Sequence, residues 1–337
     1  MSVKIFKSAR AGLDTTRSAA ATAMTRALMF DTAFAQQDIA TIRPVTLRAS
    51  YNGYLSAAAG TETNTFEMGG TLTYDHMIWL ANTHIKAVAS GVKGVGVDYL
   101  WTFLPTAASD DIKSASIQCG YADDISANQP AVHLKNLLGD ELSISWDKSG
   151  DGAVTYTSKM ITANVAVQLT AFTGAADATG AGHQVVSSST TAITVDTTTI
   201  GTTADTYWQD LKWTLNNGFQ NLYTLNNTTA ATATFRPKPR EWKLEGSRYY
   251  GPTASAKVEW DAYIAKTPRK FRIKSTGAVI GSSVNWVVLD LYGVYTSMKW
   301  DEKDDLGFQT FTLEPIYDST ATADFVCTVT SGLTAIT

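Results

Sequence analysis

Apolar and polar residues alternate along most of this chain, in short stretches separated by turn-forming residues. An alternation with a period of two is typical of β-strands that bury one face. The strands predicted in the first half are 46–55, 63–73, 97–104, 111–119, 141–147 and 153–169, with a turn at 57–60. Those predicted in the second half are 206–216, 231–236, 240–246, 255–261, 269–274, 284–291, 308–316 and 324–330. The pattern therefore predicts a mainly β fold.

Two stretches follow a helical period instead. In 74–88 the apolar positions 77, 78, 81, 85 and 88 fall on one helical face, and Gly91 can end the helix. A second, short helix is predicted at 261–266, where Pro268 closes it. Each half of the chain is therefore expected to carry one short helix beside its strands.

A faint internal echo points to duplication. The run Asp-Ile-Lys at 111–113 recurs as Asp-Leu-Lys at 210–212, and 141–146 is echoed by 241–246. Between the halves, 172–205 is rich in Gly, Ala, Ser and Thr, which is typical of a linker or extended loop, with one short strand at 192–195. We therefore predict an N-terminal arm (1–44), a first β domain (45–171), this linker (172–205) and a second β domain (206–337).

The N-terminal segment is basic and rich in Ser, Thr and Ala, as in an organellar targeting peptide. Arg17, Arg26 and Asp31 interrupt its apolar residues, which disfavours secretion. We expect instead an arm that docks on a neighbouring subunit. The sequence has no apolar run of the ~18–20 residues that a membrane span requires, so no membrane partner is expected.

The composition narrows the function classes. Charged residues make up 17% of the chain and the formal net charge is −4. This disfavours a general nucleic-acid binder, which is normally basic. The two cysteines, Cys119 and Cys327, lie in separate strand-like runs without the Cys/His spacing that holds zinc. We expect no metal and no cofactor.

Local motifs give little sign of catalysis. The Asp-Lys-Ser-Gly-Asp-Gly run at 147–152 resembles the start of a calcium loop, but Ser158 stands where such a loop needs a bidentate Glu, so a hairpin turn is expected. The Gly-rich run 91–96 follows a helix, which is the reverse of a dinucleotide-binding fingerprint. The histidines at 76, 84, 133 and 183 have no triad partners nearby in sequence. We expect that the protein is not an enzyme.

Charged residues cluster in two places in the second half. Alternation puts Lys270, Arg272 and Lys274 on one face of a predicted strand. The acidic cluster consists of Asp301, Glu302, Asp304 and Asp305. Three interpretations are open: solvated faces, a nucleic-acid site on the basic strand, or complementary charges that meet across a subunit contact.

Several segments resemble one protein family in their order along the chain and in their residue pattern. They are Ala-Tyr at 262–263, Thr-Pro-Arg-Lys-Phe-Arg-Ile-Lys at 267–274, Val-Val-Leu-Asp-Leu-Tyr-Gly-Val-Tyr at 287–295, Phe-Thr-Leu-Glu-Pro-Ile-Tyr-Asp at 311–318 and Gly-Gly-Thr-Leu-Thr-Tyr-Asp at 69–75. With them the chain resembles the major tail tube protein of long, non-contractile-tailed (siphovirus-like) bacteriophages, over 45–165 and 206–330. The segment 172–205 departs from that family.

The resemblance implies two tandem tail-tube-like units, each a β-sandwich or barrel-like fold flanked by a short helix. Such units close into rings, which stack into the hollow tail tube of a virion assembled in the host cell cytoplasm. DNA passes through the lumen without specific binding. The resemblance also implies a trimer with pseudo-sixfold symmetry in preference to a hexamer, and contacts with the tape measure and tail terminator proteins.

Other classes remain as alternatives. A secreted β-sandwich adhesin or carbohydrate-binding module would use the many aromatic residues for stacking, and a clean secretion signal would favour it. A capsid or minor tail protein is another alternative, because sequence alone separates these classes of virion protein poorly. A β-rich hydrolase would need convergent acids such as those at 301–305, and nothing in the sequence pairs with them.

Overall fold

The computed structural model of the protein describes residues 8–14, 24, 26–28, 30–42, 58–94, 96, 98–106, 110–120, 131–148, 151–169, 184–225, 229–250, 254–280, 283–303 and 306–334. Strands predominate among these residues, so the prediction of a mainly β fold is confirmed. The predicted strand at 46–55 lies outside them.

The elements fall into two runs along the chain, each with one α-helix. The first run contains β1 (Ser8–Leu13), β2 (Arg26–Ala27), β3 (Thr32–Ile42), β4 (Ala58–Thr71), α1 (Tyr74–His84), β5 (Val92–Lys93), β6 (Tyr99–Phe103), β7 (Ala115–Gly120), β8 (Ala131–Asp147), β9 (Thr155–Thr162) and β10 (Val167–Gln168). The second run contains a 3₁₀ turn (Ser188–Thr190), β11 (Thr191–Asp196), β12 (Trp208–Asn216), β13 (Gln220–Leu222), β14 (Ala233–Phe235), β15 (Glu241–Tyr249), α2 (Ala254–Ala265), β16 (Arg269–Ile280), β17 (Ser283–Lys303), β18 (Leu306–Pro315) and β19 (Phe325–Ser331).

Eight strands form one continuous antiparallel sheet, which we call the main sheet. Their order is β3–β4–β9–β8–β12–β15–β18–β17. Burial alternates along each strand because successive side chains point to opposite faces. On β9, for example, Tyr156 and Ser158 are buried while Thr155 and Thr157 are exposed. The main sheet therefore has one core face and one polar face.

Strands β8 and β17 are long enough to belong to a second sheet as well. Their C-terminal parts lie in the main sheet, while the N-terminal part of β8 pairs with β7 and β10 and that of β17 pairs with β16 and β19. These side sheets pack on the core face of the main sheet. The ring of Phe271 on β16 stacks on Phe311 of β18 with centroids 6.0 Å apart, and Phe325 of β19 lies 5.6 Å from Trp213 of β12.

Helix α1 is buried over its whole length, rather than on the one face that its apolar period predicts. It begins at the N-cap Thr73, whose hydroxyl accepts from the backbone N–H of His76. At its end, Nδ1 of His84 is hydrogen-bonded to the carbonyl of Leu80 at 3.1 Å, and Nε2 is hydrogen-bonded to the hydroxyl of Ser158 at 3.0 Å. Complete burial lowers the pKa of His84 to about 4, so the imidazole is neutral near pH 7.

Helix α2 is held on β16 and β17 by a buried ion pair. The carboxylate of Glu259 lies 3.0 Å from Nε of Arg269 and accepts a 2.8 Å hydrogen bond from the hydroxyl of Tyr295. Both charged side chains are less than a tenth exposed. Arg269 also donates to the carbonyl of Val258, which ties the strand to the helix backbone.

Several local sequence predictions are wrong. The predicted strand 255–261 is part of α2, which also includes most of the predicted helix 261–266. Residues 58–60 begin β4 instead of forming a turn, and α1 ends at His84, well before Gly91. The turn predicted at 147–152 lies between β8 and β9, which pair as antiparallel neighbours, and residues 149–150 of it lie outside the described residues.

Two predicted peripheral segments contribute strands to the sheets. Within the predicted arm, β1 pairs with β7 and β3 pairs with β4. Within the predicted linker, β11 contains the predicted short strand and pairs with β16.

Candidate functional site

Seven described strands of each run have the same pattern of hydrogen-bonded neighbours, while β2, β5, β6, β13 and β14 do not take part in it. In the first run the pairs are β1–β7, β3–β4, β4–β9, β7–β8, β8–β9 and β8–β10. In the second run they are β11–β16, β12–β15, β15–β18, β16–β17, β17–β18 and β17–β19. The helix occupies the same place in both runs, after β4 and after β15.

A shared β-bulge aligns the two runs residue by residue. The β8–β9 register shifts at Asp140, and the β17–β18 register shifts at Thr296. Just before each bulge, Gly139 pairs with Met160 and Tyr295 pairs with Leu313. We call residues that hold the same place in the two runs counterparts.

The two runs meet at two strand pairs: β6 pairs with β19, and the C-terminal part of β8 pairs with β12, a contact that we call the internal joint. Its register runs from Asp147 opposite Asp210 to Glu141 opposite Asn216. On the core side Ile144 lies opposite Trp213, and both are at most 1% exposed.

Asn217 makes two side-chain hydrogen bonds at one end of the internal joint. Its side-chain amide donates to the carbonyls of His84 and Gly139, both at 2.8 Å. The amide thus connects β12 to the end of α1 and to β8 at once.

The two outer strands of the main sheet, β3 and β17, carry the counterparts of the residues that pair at the internal joint. β3 is the counterpart of β12, and the C-terminal part of β17 is the counterpart of that of β8. Among the described residues, β3 pairs with β4 alone, and β17 beyond Gly293 pairs with β18 alone. We call these the β3 edge and the β17 edge. Such long unpaired edges are templates for pairing with another strand.

The β17 edge exposes aromatic surface. Trp300, the counterpart of the buried Ile144, is 46% exposed. Its ring meets Tyr250 edge-on at 4.2 Å and Trp260 of α2 at 5.1 Å between centroids.

Next to this edge α2 also exposes apolar side chains, Val258 at 49% and Ile264 at 64%. Its counterpart α1 is fully buried because β17 and β19 of the second run cover it. The second run thus covers α1 beside the internal joint, whereas α2, its counterpart beside the β17 edge, stays exposed.

The polar face of the main sheet is rich in Thr, Ser and carboxylates. Acidic side chains outnumber lysines on it. The acidic residues are Asp38, Glu67, Glu141, Asp147, Asp210, Glu241, Glu245, Asp301 and Glu314, and the lysines are Lys159, Lys212, Lys243 and Lys299. Two of these lysines are engaged within the face, with Glu67 at 3.8 Å and with Glu245 at 3.0 Å. The face therefore presents a net negative field to solvent.

The three predicted basic contact residues share one face of β16, an interior strand of its sheet. Nζ of Lys270 lies 2.7 Å from Asp318, and Arg272 makes a bidentate pair with Asp290 at 2.7 and 2.8 Å. The pair with Asp290 raises the pKa of Arg272. Lys274 is exposed, with Nζ 5.8 Å from the ring centre of Trp286.

The predicted acidic contact residues lie elsewhere. Asp301 and Glu302 are exposed at the C-terminal end of β17, on the β17 edge. Asp304 and Asp305 lie outside the described residues. The register of β16 on β17 ends at Gly293, so the basic trio and this acidic end are not adjacent within the chain.

The described part of the chain offers little to catalysis or metal binding. None of its groups of three or more His, Cys, Asp or Glu could hold a metal ion. Cys119 and Cys327 are free thiols, and burial raises the pKa of each far above its usual value. In these described ranges no helix is long and apolar enough to cross a membrane.

Neither a protein-family model nor a curated protein sequence matches the chain. Sequence reasoning missed β3, because its inward positions are the small Ala33 and Ala35 and the polar Gln37. A weak signal was present, since Ala33 and Ala35 alternate with larger residues from Thr32 to Gln36.

Proposed function

We propose that this protein is a structural, non-enzymatic virion protein that assembles into stacked rings and forms the hollow tail tube of a siphovirus-like bacteriophage. The observation that carries the proposal is the pair of open edges on the main sheet. They are the counterparts of two strands that already pair at the internal joint. A second copy of the chain can supply the missing strand at each edge.

The repeated pairing pattern supports an origin in two tandem copies of one tail-tube-like unit. Six strand pairs, one helix and one β-bulge hold the same places in both runs. The two units then sit side by side as two subunits of a ring would. Three chains would give a ring of six units with pseudo-sixfold symmetry.

Ring closure explains the shape of the two edges better than a dimer does. The β3 edge and the β17 edge are different surfaces, so pairing one with the other is a head-to-tail contact. Head-to-tail contacts form rings when the rotation closes. A ring removes every open edge of the main sheet, which lowers the risk of unspecific strand pairing.

The width of such a ring favours three chains. Neighbouring strands lie ~4.8 Å apart, so about 24 strands from three chains give a backbone ring of ~37 Å diameter. Two chains would give about 24 Å and six would give ~73 Å by the same spacing. Side chains narrow each ring further, so three chains make the smallest channel that admits a DNA duplex.

The polar face of the main sheet suits the lining of a DNA channel. Its excess of carboxylates repels phosphate, so DNA would pass without tight or specific binding. The exposed α2 surface and the side sheets would then lie outside the lumen, where they can contact neighbouring chains. Stacked rings would meet the tape measure protein inside and the tail terminator protein at the tube end.

Negative-stain microscopy of the purified full-length protein over a concentration series tests the proposal. We expect rings with an axial hole that stack into tubes at high concentration. A monodisperse monomer at the highest concentration, with a β-rich circular dichroism spectrum, would refute it.

A further inference from the structure

The internal joint provides a template for the contact between chains, and the following inference rests on the ring assembly proposed above. At the internal joint Lys212 lies opposite Ser145, and Trp213 lies opposite Ile144. Each of these residues has a counterpart on an open edge, which the shared bulge and the strand registers define.

The counterparts follow from two constant offsets. The bulge residues Asp140 and Thr296 make Ser145 the counterpart of Asp301 and Ile144 that of Trp300. The β4 and β15 registers then make Lys212 the counterpart of Phe34. In the same register Trp213 is the counterpart of Ala35.

We infer that the β3 edge of one copy pairs antiparallel with the β17 edge of the next copy in the register of the internal joint. This register sets Phe34 opposite Asp301 and Ala35 opposite Trp300. The strands overlap from Thr32 at one end to Asp38, which lies opposite Ser297, at the other.

Side-chain volumes fit this register. The internal joint places the larger residue, Trp213, on the β12 side and the smaller, Ile144, on the β8 side. The proposed joint reverses the sizes, with Ala35 on the β3 side and Trp300 on the β17 side. A large residue thus meets a smaller one in both joints, which core packing requires.

Charges fit it as well. Asp301 and Glu302 meet Phe34 and Ala33, and Asp38 lies one diagonal step from Lys299, within reach of a long side chain. This places opposite charges near each other across the proposed joint.

The same geometry covers the exposed face of α2. At the internal joint β17 and β19 of the second run cover α1. Their counterparts, β8 and β10 of the next copy, would cover Val258 and Ile264. The proposed joint thereby buries the apolar surface that lies next to the β17 edge.

Disulfide trapping of the full-length chain tests the register. We would combine Phe34→Cys with Asp301→Cys, which the inference places directly opposite each other, about 4.5–5.5 Å apart at Cα. The matched control combines Phe34→Cys with Lys299→Cys, on the same face but about 8 Å apart, beyond the range of a disulfide. The native Cys119 and Cys327 are buried and stay in place.

After mild oxidation of assembled protein, we expect the first variant to shift from monomer into a ladder on non-reducing gels that ends at a covalent trimer. The control and each single variant should not form that ladder. If the protein forms rings but the ladder is absent, or is formed by the control variant instead, the register is wrong while ring assembly stands. If neither rings nor a ladder form, both the register and the proposed function fail.

Discussion

Trp300→Ala should weaken assembly far more than it weakens the fold. Trp300 is 46% exposed in the single chain, and a fully buried aromatic side chain covers up to about 250 Å². Burial of the exposed part at the proposed joint therefore removes roughly 100 Å² from water, which is worth about 2.5–3 kcal/mol at ~25 cal/mol per Å². This corresponds to about a 100-fold loss in the association constant at each joint.

Sedimentation velocity over a concentration series measures this effect as a shift in the midpoint of assembly. Tyr317→Ala is the matched control, because Tyr317 is also an exposed aromatic residue, at 64%. It follows the C-terminal end of β18, whereas Trp300 pairs with Gln309 in the N-terminal half of that strand. Urea unfolding of each variant separates the loss of the Tyr250 and Trp260 contacts from the assembly effect. Equal assembly midpoints for the two variants would refute the placement of Trp300 in the joint.

Three further predictions concern the stability of the single chain. The pKa of His84 is about 4 in the fold against 6.5 for the free side chain, so the stabilisation by its neutral form is complete above pH 6.5 and about 3 kcal/mol of it is lost as the pH falls through 4. His84→Asn should therefore flatten the pH dependence of the free energy of urea unfolding, and an unchanged pH dependence would contradict this. Glu259→Gln leaves Arg269 buried without its counter-charge and should lower the free energy of urea unfolding by about 3–5 kcal/mol. The control Lys257→Ala removes an exposed ion pair and should lower it by under ~1 kcal/mol, and equal losses in the two variants would contradict the role of the buried pair. Asn217→Ala leaves two buried carbonyls unpaired and should cost about 2–3 kcal/mol, and thermal unfolding within 1 °C of the unchanged chain would count against its role at the internal joint.

The strand pattern was predictable because most strands bury one face, so their sequences alternate. The failure at α2 has a physical cause. Val258, Trp260, Ala262 and Ile264 also alternate, yet the segment is helical. A helix normally shows a period near 3.6, but here Val258 and Ile264 lie on its solvent side, which breaks that period. The apolar residues that misled the prediction are those that the proposed joint would bury.

The internal echo was misleading for a different reason. It matched 111–113, which precede β7, to 210–212 in β12, and 141–146 in β8 to 241–246 in β15. Neither match joins strands that hold the same place in the two runs. True counterparts, such as Tyr156 and Gln309 or Ser158 and Phe311, share burial and register but little chemistry. A strand position constrains the side that a residue faces more tightly than its identity, so the repetition survives in the pairing pattern and not in the letters.

In the proposed assembly, two units joined in one chain would change how the ring forms. At the internal joint the second strand is tethered, so pairing is intramolecular and does not depend on protein concentration. In the proposed ring of six units, three contacts would remain bimolecular, and the surfaces that form them would have to stay soluble before assembly. The internal joint accordingly buries Ile144 and Trp213 completely, while the open edge carries a half-exposed Trp300 flanked by Asp301 and Glu302. Charged residues on an open edge oppose wrong strand pairing. In the proposed assembly, Asp301 and Glu302 would therefore keep the β17 edge soluble until β3 of another copy pairs with it.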